Sequence, residues 1–226
     1  MDTITKKIYL IRHGETDYNK LGLIQGSGVD TDLNTLGKLQ AQAFYEAYKN
    51  VGFDKVYTSA LKRTHQTVAP FLAEGVSWQQ LSGLNEICWG TKEGKAAASQ
   101  DNEQHEKMLA AWKKGDFSIK PPQGESPLDV MERQKAALAA IMAATTETNV
   151  LVCMHGRAMK IFLCLLLEVE LKNMDIFKHE NVCLYILHYR NGSFELELAN
   201  DTEHLQTLKE LNIDRHTEEL MLEISR

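Results

Sequence analysis

Two stretches of the chain are built to one plan. KIYLIRHGET, residues 7–16, and VLVCMHGR, residues 150–157, are each a short apolar run that stops at a histidine followed by glycine. Continuous apolar runs of this length suit strands covered on both faces, as in a parallel sheet between two helix layers. Ligands of such sheets bind at the carboxyl ends of the strands. Glycine there lets the backbone come close to a ligand, and a helix that starts there turns N–H groups toward an anion. Two imidazoles are therefore expected over one pocket.

The rest of the chain agrees with that frame. Further strands are expected at 55–58 and 182–189, with helices over 35–50, 61–72, 96–113, 126–144 and 158–168. Asn34 can cap the first helix, whose inner face is Leu36, Leu39, Ala43, Phe44 and Ala47, and Ser59 can cap the second. Strand and helix alternate, which predicts an α/β fold: a three-layer α/β/α sandwich with a mainly parallel central sheet. LYILHY and FELELA, with Arg190, Asn191 and Gly192 in the segment between them, predict an antiparallel edge strand. KPPQGES at 120–126 reads as an exposed loop, and 206–226 as a charged helical tail. With 226 residues and no internal repeat, residues 1–226 are read as a single domain.

Composition excludes several classes. A formal charge of -6 without a basic stripe argues against nucleic acid as a partner. The apolar run 161–167 is far shorter than the ~20 residues a membrane span needs. MDTITKK offers no apolar leader, so a cytoplasmic location is expected. Cys88, Cys153, Cys164 and Cys183 are widely spaced and suggest neither a disulfide framework nor a zinc site.

A third place adds charge. In TSALKRTHQT, residues 58–67, a strand passes into a helix that carries Arg63 in its first turns, a fixed guanidinium suited to phosphoryl oxygens. Taken together, Arg12-His13-Gly14-Glu15-Thr16, Arg63 in SALKRTHQT, Glu86 in LNEICWG and His155-Gly156 resemble the histidine phosphatase superfamily, the phosphoglycerate-mutase-like proteins. The likeness runs from about residue 7 to about 205.

That resemblance implies a phosphatase acting on a small-molecule phosphomonoester. His13 is the implied nucleophile, which becomes phosphohistidine, with Arg12, Arg63 and His155 around the phosphoryl group. Glu86 is the implied general acid and then base, needing burial to hold its proton, with Leu84, Ile87 and Trp89 as apolar cover. Asn19, Gln25, Gly26 and Gly156 align with the substrate-binding side of the pocket. The family's helical cap falls near 90–125, and Tyr18, Ile24, Trp89, Trp112 and Phe117 would give a partly apolar rim. No cofactor is implied. A metal is not expected either: no H-x-H, H-E-x-x-H or C-x-x-C occurs, and the candidate histidines stand beside arginines.

A phosphoglycerate mutase is the competing reading, and a non-catalytic phospho-ligand binder a third. Mutases of the family follow the glutamate with arginine and, two places on, tyrosine. Here Ile87 and Trp89 occupy those places, although Lys92, Lys95 and the Trp112-Lys113-Lys114 run keep the mutase in view. A sugar phosphate, or an ester such as α-ribazole phosphate, fits the phosphatase reading. His65, His105, His179, His188, His204 and His216 are expected in surface or structural roles. The tail could dock on its own domain or on a second copy, so a homodimer is possible.

Overall fold

A computed structural model describes residues 5–96 and 102–211. The elements are β1 (Lys6–Arg12), α1 (Asp17–Lys20), α2 (Thr35–Tyr48), β2 (Lys55–Thr58), α3 (Lys62–Ala73), β3 (Trp78–Gln80), α4 (Asn102–Lys113), α5 (Pro127–Ala143), β4 (Asn149–Met154), α6 (Gly156–Leu166), β5 (Leu184–Arg190), β6 (Ser193–Asp201) and α7 (Gln206–Glu210).

The strands form one six-stranded sheet in the order β3-β2-β4-β1-β5-β6. The first four are mutually parallel, while β5 runs antiparallel to both β1 and β6. The antiparallel strand thus lies one place inside the edge, and β6 forms the edge. Asn191 (φ 55°) and Gly192 (φ 87°) close that hairpin between Arg190 and Ser193. Positive φ at both central residues is what a tight two-residue hairpin needs, and asparagine and glycine supply it at little cost.

The lack of polar alternation in the inner strands has a direct cause. Ile8 and Leu10 of β1 pack with Val150 and Val152 of β4 beneath Val130 and Ile141 of α5 and Phe162 of α6. Tyr9, Ile11, Leu151 and Cys153 face the other way, against Phe44, Val68 and Phe71 of α2 and α3. Both faces of these inner strands are covered, and the three-layer architecture follows.

Several local expectations change. β3 was not foreseen, because it is short and exposed, a tryptophan followed by two glutamines; it exists by pairing with β2. Asn34 caps α2 as expected, accepting from the N–H of Gly37. Ser59 does not cap α3: the N-cap position is Leu61, with no side-chain bond, and the Ser59 hydroxyl turns toward His155. The segment 120–126 is a loop, as expected, and Lys120, Pro122 and Gln123 are exposed, but it is tied down. Pro121 and Ser126 are buried, and Glu125 and Thr91 bond across to Cys88 and Pro122. Of the expected helix over 96–113, residues 97–101 lie outside the described residues, as do 212–226 of the tail. Among the described residues no helix is long and apolar enough to cross a membrane.

Candidate active site

The strand order places β2, β4 and β1 side by side, so that Ser59, His155 and His13 emerge next to one another at the carboxyl edge. The backbone N–H of His13 bonds to the Met154 carbonyl (3.0 Å) and that of Ser59 to the Cys153 carbonyl (3.3 Å), which continues the ladder one step past each strand. The two imidazole centroids are 5.1 Å apart.

His13 is 2% exposed, and its Nδ1 lies 2.7 Å from the Gly14 carbonyl. A carbonyl only accepts, so Nδ1 carries the proton and, in the neutral ring, Nε2 keeps its lone pair. Burial, followed by the charges of Arg63 and Arg12, holds the His13 pKa well below the usual histidine value, so the ring is neutral at pH 7. The loop behind it is fixed: the Gly14 N–H donates to the Thr67 hydroxyl (2.9 Å), and a Cβ on Gly14 would stand 2.6 Å from the Gly37 carbonyl oxygen. Only glycine lets this turn lie on the start of α2.

His155 has the opposite tautomer. Arg63 Nε donates to its Nδ1 (3.1 Å), which leaves the proton on Nε2, 2.7 Å from the Ser59 hydroxyl. Its pKa is likewise held well below the usual value by burial and then by Arg63. Arg63 is fully buried on α3 and also donates to the carbonyls of Val29 (2.8 Å) and Gly26 (3.2 Å). Burial lowers its pKa to about 10, so it stays cationic at pH 7. Three of its five N–H groups are used, and two remain.

Arg12 donates from Nη1 to the His179 carbonyl (2.7 Å), while its buried Nε has no protein partner among the described residues. That Nε is near the start of α6: a Cβ on Gly156 would lie 3.5 Å from it. Glu86 is buried, with Oε1 accepting from the N–H groups of Ile87 (2.9 Å) and Ala158 (2.8 Å) and Oε2 from Arg157 (3.1 Å). The carboxyl therefore closes the first turn of α6, where His155 provides no side-chain cap. The expected apolar cover is only half the account. Leu84 and Ile87 are fully buried beside Glu86, but its head group meets backbone donors.

The remaining site candidates have distinct places. Asn19 closes a capping box with Thr16 at the start of α1, its Oδ1 also accepting from Asn181 (3.2 Å). Gln25 accepts from the Thr16 hydroxyl (3.0 Å) and donates to Thr31. Gly26 holds Arg63 through its carbonyl, and a Cβ there would collide with the Glu93 carboxylate and the Ile87 carbonyl. Trp89 and Trp112 do not form a rim: both are buried and stack at 5.9 Å, joining α4 to the 84–89 turn. Lys113 and Lys114 are exposed.

Sequence reasoning missed two supports. Asn181 Nδ2 donates to the His13 carbonyl (3.0 Å), and His179 sits against Arg12 and Gly156 with its pKa lowered to about 3 by burial and Arg12. No motif marks them. The one local signal is an Asn and a His just before a strand that pairs with β1. Among the described residues no group of three or more His, Cys, Asp or Glu is arranged around a metal-sized gap.

A fully buried guanidinium (Arg63), a partly buried one (Arg12), a neutral imidazole and a carboxyl at a helix start are thus gathered at one sheet edge. Cations and rigid N–H donors suit the equatorial oxygens of a transferring phosphoryl group. A mycobacterial glucosyl-3-phosphoglycerate phosphatase, solved in complex with VO3, superposes with a TM-score of 0.77 at 25% identity, covering 87% of this chain and 100% of that one. The α-ribazole phosphatase of Shigella flexneri gives 0.75 at 25%, covering 86% and 96%. The probable phosphoglycerate mutase of Proteus mirabilis is 29% identical over 210 residues, 88% of this chain and 94% of its own length. The family model for the histidine phosphatase superfamily (branch 1) matches residues 8–202, and the chain belongs to that superfamily.

Proposed function

We propose that the protein hydrolyses a small phosphomonoester in two steps through phosphohistidine on His13, with no metal taking part. The Nε2 lone pair of His13 attacks phosphorus as the P–O ester bond breaks, and Glu86 gives a proton to the leaving oxygen. A water then attacks the phosphoryl group, passes a proton back to Glu86, and releases phosphate and the neutral ring. Arg12 Nε and the two remaining Arg63 N–H groups serve the equatorial oxygens. His155 works with Arg63 as one unit, clamped from behind by Ser59. The observation that carries this reading is the His13 Nδ1 contact with the Gly14 carbonyl, which directs the reactive lone pair away from the backbone.

The solved relatives named as phosphatases support hydrolysis. The mutase reading loses support because Ile87 and Trp89, at the places where mutases carry arginine and tyrosine, are buried in apolar packing. We assign the 90–125 segment, with α4, the part of a cap over the substrate.

Turnover of p-nitrophenyl phosphate with chelator present tests the enzyme; absence of turnover would return the chain to ligand binding. Isomerisation of 3-phosphoglycerate with a bisphosphoglycerate primer, if faster than hydrolysis, would make it a mutase. A panel of sugar and nucleotide-like phosphates read by released phosphate assigns the substrate.

A further inference from the structure

Arg133 of α5 spends three of its five N–H groups on the turn that carries Glu86 and the other two on the Glu125 carboxylate. Nη1 donates to the carbonyls of Gly83 and Asn85 (both 2.8 Å), Nη2 to the Glu86 carbonyl (3.0 Å) and to Glu125 Oε2 (3.0 Å), and Nε to Glu125 Oε1 (2.8 Å). Glu125 Oε2 in turn accepts from the N–H of Cys88, two residues beyond Glu86 (2.8 Å). The turn is pressed down as well: a Cβ on Gly83 would lie 2.5 Å from the Arg133 carbonyl oxygen, and one on Gly124 2.5 Å from that of Cys88. Residues 83–88 are thus gripped on both sides of Glu86 by one planar fork and the carboxylate paired with it.

We propose that Arg133 and Glu125 are positioning residues for proton transfer by Glu86. A loop ordinarily owes its conformation to its own sequence, yet this one hangs by its carbonyls from a side chain on a rigid helix. The geometry has a functional logic, because a general acid works only within hydrogen-bond reach of the leaving oxygen, and a displacement of about 1 Å can cost on the order of 100-fold. Lysine cannot replace Arg133: it has three donors on a point charge, against five acceptors arranged for a fork. Glu125 belongs to the segment that leads from α4 into α5, so the same pair links the position of Glu86 to the placement of the segment around α4.

The inference rests on Glu86 being the proton donor, and the test separates the two ideas. Turnover of an alkyl phosphate, whose leaving group needs a proton, is compared with p-nitrophenyl phosphate, whose leaving group does not, for wild type, Glu86→Gln, Arg133→Lys, Arg133→Ala and Glu125→Gln. Arg133→Lys is expected to slow the alkyl ester by about 30- to 100-fold and p-nitrophenyl phosphate by about 3-fold or less, with Glu125→Gln shifting in the same direction by about 10-fold. Methylguanidinium is expected to restore part of the lost alkyl-ester activity to Arg133→Ala. If Glu86→Gln slows both esters equally, the role of Glu86 is wrong. If Glu86→Gln discriminates while the folded Arg133 and Glu125 variants slow both esters alike, the positioning proposal is overturned. Should the Arg133 variants fail to fold, Glu125→Gln decides alone.

Discussion

The ends of β1 and β4 share sequence and backbone, yet they present two different histidines. At the end of β1 the ring of His13 is tied through Nδ1 to its own loop, which leaves Nε2 as the ring's lone-pair nitrogen. At the end of β4 both ring nitrogens of His155 are taken, one by Arg63 of α3 and one by Ser59 after β2. The same dipeptide thus gives a candidate nucleophile in one place and a strut in the other. The deciding factor is what the neighbouring elements present. A carbonyl one residue along forces a proton onto Nδ1 of His13, and a guanidinium from a remote helix forces it onto Nε2 of His155.

The widest separation between the two should come from their removal. His13→Ala is expected to lower turnover of p-nitrophenyl phosphate by on the order of 10⁴-fold or more and to abolish acid-labile phosphate incorporation. His155→Ala should lose roughly 10²- to 10³-fold while still incorporating label slowly; equal loss of labelling in both variants would erase the distinction. Arg63→Lys tests the clamp and is expected to cost about 100-fold, because a point charge cannot bond His155, Val29 and Gly26 together.

Ser59→Ala is a finer instrument, since it removes the acceptor that fixes the His155 proton. A fall of about 10-fold in kcat, with labelling still stoichiometric, is expected. If Ser59→Ala matched His155→Ala, the hydroxyl would have to act on substrate directly.

The smallest effect is on stability. His13, His155 and His179 are all held below the usual histidine pKa in the fold, so between pH 6.5 and their folded values the unfolded chain binds protons the native state refuses. Stability therefore falls as pH falls through that window, by up to about 1.4 kcal/mol per pH unit for each histidine. Urea unfolding between pH 7 and pH 5 should show it, and His179→Gln should flatten the slope by up to one such share. An unchanged slope in that variant would mean that His179 titrates normally.

Much of this was legible in the letters because local patterns carry it. Uninterrupted apolar runs such as 150–154 announced doubly covered strands, Asn34 announced a helix start, and RHGE with its distant partners announced the superfamily. β3 was not legible, since WQQ owes its strand form to the ladder offered by β2 and not to its own propensity. Nor were Asn181, Arg133 and the true place of Trp89: the Asn181–His13 and Arg133–Glu86 bonds join residues 168 and 47 positions apart, and Trp89 is placed by stacking on Trp112 of another element.

The sequence by itself determined that two buried strands would end in His-Gly on a sheet between helices, because hydrophobic periodicity and glycine's small size act over a few residues. Only the tertiary structure decided which imidazole keeps an unused lone pair and which is clamped. A proton's position on a ring is set by the nearest donor or acceptor in space, and at these two sites that partner is a neighbouring carbonyl in one case and a guanidinium 92 residues away in the other.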